Sequence, residues 1–191
     1  MTFYNPSDAQ IIDAIESMDG KISLPLFDGQ ALGIYAELVD LDPERAIRAV
    51  RNLLSKDVTD RTDMARHLLA HYKMMVKAVS PDTDLLSEID NVEPTISTAW
   101  KAVRLGMLQL TQVAERPSGV PTFDSEKPLY IVLDLNVPWE REHSVVMSWE
   151  DGVKLVKVGE FGWPVHDGKL GEGHESCIFH CPEYELCTTS D

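Results

Sequence analysis

Residues 129–158 read LYIVLDLNVPWEREHSVVMSWEDGVKLVKV, and this stretch decides the fold. Leu129, Ile131, Leu133 and Leu135 alternate with other residues, which is the period of a strand with one face against a core. Val145, Met147 and Trp149 repeat the pattern after a break. Glu150-Asp151-Gly152 then turns the chain, and Val153 to Val158 runs back. Asp-Gly between two alternating runs predicts a hairpin, because that pair tolerates the positive φ of a tight turn.

Outward from this core the elements shift towards helix. Asp60 predicts the start of a helix whose buried stripe runs through Met64, Leu68, Leu69, Tyr72, Met75, Val76 and Val79. Asp42 caps a preceding helix, with Pro43 at its first position and Ala46, Ile47, Val50, Leu53 and Leu54 at helical spacing. The short connection near 56–59 predicts that the two pack as a helical hairpin. Arg45, Arg48 and Arg51 fall on the other side and read as a solvated face. Further upstream, Asp28-Gly29 separates two apolar runs, 22–27 and 31–36, a second hairpin signal. Pro25 places the first of these at an edge or bulge. Ser7 caps a short helix to Met18.

Between the helices and the sheet, 95–103 reads as a short helix carrying Trp100. Gly106 to Glu115 fits helix or strand, and periodicity does not separate them. Residues 116–127 read as a loop, bracketed by Pro117, Gly119, Pro121 and Pro128. The expectation is an α+β domain over 1–168, an antiparallel sheet with the helices on one face, followed by an acidic tail at 169–191 containing Cys and His.

The segment Trp139-Glu140-Arg141-Glu142-His143, between two strands and ahead of the Asp151-Gly152 hairpin, resembles a bacterial family of unknown function, the DUF6985 group. That family shares an aromatic-acid-x-Glu-His turn leading into a hairpin. The resemblance implies a strand at 106–115. The family's usual glycine after the histidine is Ser144 here, and its usual leucine is Val145. Its members resemble small proteins encoded near toxins, which implies an immunity-type role by analogy and no activity.

Charge limits the partners. The chain of 191 residues has 32 acidic and 17 basic side chains, a formal net charge of −15. Such a field repels phosphate backbones and anionic lipid, so nucleic acid and membrane are excluded as expected partners, and a basic protein is favoured. Residues 122–191 hold 14 acidic and 5 basic residues, a balance of −9. The C-terminal third is therefore the expected cation-facing part. Met1 to Asp19 lacks a basic-then-apolar leader, and the expected location is cytoplasmic.

Three groups of residues carry possible chemistry. Trp139, Glu140, Glu142 and His143 join carboxylates to an imidazole, a combination suited to acid–base work or metal binding, as in a hydrolase-like enzyme. The same residues suit an inter-strand turn in which Trp139 packs and the carboxylates bond backbone amides. His67 and His71, at i and i+4, are able to share a metal, or to sit at the boundary of an amphipathic helix. In the tail, Cys177, His180, Cys181 and Cys187, with His174 nearby, supply zinc-ligand chemistry, although Cys-x3-Cys-x5-Cys is not a standard spacing. Otherwise no cofactor is expected. The three cysteines fit no disulfide framework, and the surrounding glutamates disfavour an activated thiolate. The reading that follows is a non-catalytic binding protein, an immunity-type inhibitor of a basic partner. The alternative is a metal protein or enzyme built on one of these clusters.

Overall fold

The computed structural model describes residues 2–17, 20–36, 41–79, 95–115, 121–123 and 129–160. Nine strands and three α-helices are present among them: β1 (Thr2–Phe3), α1 (Asp8–Ser17), β2 (Lys21–Leu24), β3 (Gln30–Ala36), α2 (Pro43–Leu54), α3 (Asp60–Val79), β4 (Arg104–Thr111), β5 (Val113–Glu115), β6 (Pro121–Phe123), β7 (Tyr130–Val137), β8 (Glu140–Glu150) and β9 (Lys154–Glu160). Seven strands form one sheet in the order β1-β2-β3-β4-β7-β8-β9, while β5 and β6 make a separate ribbon.

The architecture is α+β, and the sheet is mixed rather than antiparallel. β1 pairs parallel with β2, and β3 parallel with β4. Each parallel pair is joined by helical chain, α1 in the first case and α2 with α3 in the second. A parallel neighbour needs such a crossover, whereas a two- or three-residue turn gives only an antiparallel one. Reading hairpins from their turns therefore finds the antiparallel pairs and misses the parallel ones.

The sequence sets the element ends by local chemistry. At the start of α1, Gln10 N donates to Ser7 Oγ at 3.3 Å and Ser7 N donates to Gln10 Oε1 at 2.8 Å, a reciprocal capping box. At α2, Glu44 N donates to Asp42 Oδ1 at 3.0 Å, with Pro43 in the first turn. Pro25 leaves β2 and opens a 3-10 turn over Pro25–Phe27, after which Asp28 takes φ 56 and Gly29 φ 77. Residues 106–111 and 113–115 are extended, in β4 and β5. The expected helix around Trp100 is a 3-10 turn, Ala99–Ala102. The expected loop at 116–127 contains the strand β6.

Inward side chains of β7, β8 and β9, including Ile131, Leu133, Met147, Trp149 and Val158, share one core with Ala46, Val50 and Leu53 of α2 and Met64 and Leu68 of α3. Burying such a side chain contributes about 1.5–3 kcal/mol. α2 packs beside α1, and α3 lies against β9 and the Ala99–Ala102 turn. Phe27 and Trp100 meet edge-to-face at 5.3 Å, and the Trp100 indole donates to the Arg61 carbonyl at 3.0 Å, which fixes that 3-10 turn to α3.

Candidate functional site

The connection between β7 and β8 carries the sequence motif. Val137 pairs with Glu140, so Pro138 and Trp139 form a two-residue turn. Neither residue has positive φ. The turn is thus not one of the primed types that match strand twist. Pairing lapses opposite Asn136 and resumes at Leu135 with Val145. Ser144, just before that point, takes φ 60, the left-handed conformation that a glycine accommodates without cost. The motif is therefore a turn of two residues followed by a bulged strand, rather than a five-residue turn.

Trp139 is inserted into the core against α3. Its indole N–H donates to Nδ1 of His71 at 3.1 Å. Its ring stands edge-on to Tyr72, with centroids 5.6 Å apart and planes at 81°. His71 is fully buried, and burial holds its pKa well below the usual imidazole value, at about 4. With Nδ1 accepting from Trp139, the neutral ring carries its proton on Nε2, and Nε2 has no hydrogen-bond partner. His71 is thus an acceptor already occupied by an indole, enclosed away from solvent. The geometry serves to lock the β7–β8 turn onto α3. Glu140 is also buried, in register with Val137.

The histidine pair that the sequence singled out is brought into the core together. His67 and His71 are both buried in the stripe of α3, rather than flanking it as expected of boundary residues. Among the described residues no three His, Cys, Asp or Glu side chains gather as a metal site requires. The side chains of Glu142 and His143, and all of Cys177, His180, Cys181 and Cys187, lie outside the described residues.

A second junction joins the β8–β9 turn to α2. Asp151 Oδ1 accepts from Arg45 Nε at 3.1 Å and from Leu129 N at 3.2 Å, and the Asp151 carbonyl accepts from Asn52 Nδ2 at 2.9 Å. Gly152, at φ 72, lies so close to α2 that a Cβ would collide with the Ala49 carbonyl oxygen. Tyr130 stands near this turn, and burial followed by the charges of Glu150 and Asp151 pushes its pKa up to about 12. The remaining arginines of the expected stripe are also paired: Arg51 with Asp8 at 2.8 Å and Arg48 with Glu44 at 3.8 Å. Arg61 meets Asp28 at 2.8 Å.

These features define a small α+β domain whose helices cover one face of a mixed sheet and whose hairpin turns are bolted to those helices by Trp139 and Asp151. The chain belongs to the family described as a domain of unknown function, DUF6985, whose profile matches residues 11–163. No curated protein and no solved structure gives a match. No helix among the described residues is long and apolar enough to cross a membrane.

Proposed function

We propose that this protein is a non-catalytic binding protein that engages a basic protein partner, with an immunity-type neutralising role as its specific form. The observation that carries the reading is the net charge of −15, combined with the way the arginines are used. Arg45, Arg48, Arg51 and Arg61 each face a carboxylate of the same chain, so none of these four presents an uncompensated positive patch against the acidic excess. A surface of this sign accelerates encounter with Lys- and Arg-rich surfaces, and the acceleration falls with salt.

The test is co-expression and co-purification with the product of the adjacent gene. The expected result is a complex at low ionic strength whose association rate drops about tenfold or more as salt is raised to a few tenths molar. A neighbouring product that is acidic, or that stays unbound at low salt, overturns the reading.

A further inference from the structure

Two turns of this chain present the same dipeptide in the same backbone conformation, and their surroundings differ. Asp28 and Gly29 take φ 56 and 77, and Asp151 and Gly152 take φ 45 and 72. An Asp-Gly step has a chemistry of its own. Glycine has no side chain to shield its amide nitrogen, so that nitrogen is able to attack the carboxyl carbon of the preceding aspartate. In both turns an arginine from a helix occupies the carboxylate. Arg61 of α3 holds Asp28 through Nη1 at 2.8 Å and Nη2 at 3.1 Å. Arg45 of α2 holds Asp151 through Nε at 3.1 Å.

The turns differ in what else restrains them. Asp151 Oδ1 also accepts from the Leu129 amide, and its carbonyl accepts from Asn52. Gly152 is wedged against the Ala49 carbonyl of α2, so this backbone moves only if the helix contact is undone. Asp28 is held more lightly. Its side chain is 64% exposed, and among the described residues Arg61 is the sole partner of its carboxylate. A Cβ at Gly29 would meet only Ser23 Oγ, at 3.3 Å. The remaining bonds of this turn are local: Asp28 N to the Pro25 carbonyl, Gly29 N to the Leu24 carbonyl and Ser23 Oγ to the Gly29 carbonyl. It opens without displacing a helix, which is the cheap, local kind of opening.

We propose that Asp28 is a site of spontaneous backbone modification, isomerising to isoaspartate through a succinimide, and that Arg61 sets its rate. Gly29 N forms a bond to Asp28 Cγ. One carboxylate oxygen leaves as water, with the amide proton and a proton from solvent. Water then opens the ring. Attack at Cγ restores aspartate, and attack at the main-chain carbonyl carbon leaves isoaspartate, whose backbone is longer by a methylene. The first step is resisted while the guanidinium fork engages both carboxylate oxygens and the Leu24 carbonyl engages the Gly29 N–H. Asp19-Gly20 and Asp167-Gly168 repeat the dipeptide, but their aspartates lie outside the described residues, so Asp151 is the comparison. This inference does not depend on the partner reading.

Ageing the full-length protein at neutral pH in heavy-oxygen water tests it. The chain is then digested in ordinary water, and isoaspartate is located by electron-transfer mass spectrometry. Isoaspartate carrying heavy oxygen is expected to accumulate at residue 28 roughly tenfold or more faster than at residue 151. Arg61→Gln is expected to raise the rate at 28 by about two- to fivefold, the factor a surface ion pair supplies, and to leave 151 unchanged. Asp151 in the same molecule thus controls for global unfolding. Should that variant fail to fold, Arg61→Lys, which keeps the charge and loses the fork, takes its place, with a smaller rise at 28 expected. Modification at 28 no faster than at 151 overturns the proposal, as does product without heavy oxygen. An unchanged rate at 28 in the arginine variant, or an equal rise at both sites, overturns the role of Arg61.

Discussion

The bond between Trp139 and His71 makes a single imidazole report on folding. The ring accepts from the indole only while Nδ1 is unprotonated. Its pKa falls from an ordinary 6.5 to about 4 because burial penalises the charged form. Between those values the unfolded chain takes up a proton at this site that the folded chain refuses. Stability from this residue is therefore fully present above pH 6.5, declines as pH falls towards 4, and is level below that. The full loss is about 3 kcal/mol. His71→Gln keeps an acceptor for the indole and removes the titration. Urea denaturation at a series of pH values is expected to show a shallower decline between pH 6.5 and 4 for the variant than for the unaltered chain. Parallel curves would mean that His71 does not titrate in this window. A second residue-scale prediction concerns Ser144. At φ 60 a serine is strained and a glycine is not. Ser144→Gly is expected to stabilise the protein by about 0.5–1 kcal/mol, read from the same denaturation midpoints. A loss of stability would show that the serine hydroxyl contributes more than the backbone costs.

At the scale of elements, the β8–β9 turn is a part of the helix interface as well as a link between strands. Asp151 takes φ 45 and Gly152 φ 72, the consecutive positive values of a primed turn, and Val153 N closes it onto the Glu150 carbonyl at 2.9 Å. Gly152→Ala is expected to cost more than about 2 kcal/mol, because the added methyl meets the backbone of α2 as well as unfavourable φ. Asp151→Ala removes the acceptor of the Leu129 amide and of Arg45, and is expected to cost about 1–2 kcal/mol, discounted because both charged groups are partly exposed. Thermal melts of both variants check the order, with Gly152→Ala the lower; the reverse order would place the anchoring in the side-chain bonds. The existence of this turn was legible in the sequence, since Asp-Gly between alternating runs has a local cause. Its docking onto Asn52 and Ala49 was not legible, because those partners are about a hundred positions away and no local pattern encodes them. The same division holds for β4, where periodicity fits helix and strand alike and pairing with β3 and β7 decides. It holds also for the parallel pairs, which depend on crossovers rather than turns, and for His71, whose i,i+4 relation to His67 was visible while its partner Trp139 was not.

At the scale of the whole molecule, two electrostatic effects oppose each other, and their balance is measurable. Ion pairs such as Arg51 with Asp8 and Arg61 with Asp28 stabilise the fold, but exposed pairs contribute at most about 1 kcal/mol each and weaken as salt rises. Against them stands a net charge of −15 compressed into one domain. Folding brings those charges closer together, so their mutual repulsion favours the expanded chain. Raising ionic strength from about 0.01 M to about 0.3 M shortens the screening length from roughly 30 Å to well under 10 Å. Repulsion acts across the whole molecule, so it is screened over this range more completely than contacts at 3 Å. The melting temperature is therefore expected to rise, by roughly 5 °C for a domain of this size. Sodium chloride and choline chloride should give the same rise, since screening does not depend on the identity of the cation. A larger rise with one cation would indicate a specific binding site. A fall in melting temperature would show that the ion pairs outweigh the repulsion. In that case the acidic excess would be too well compensated to steer a basic partner, and the functional reading would lose the field on which it rests.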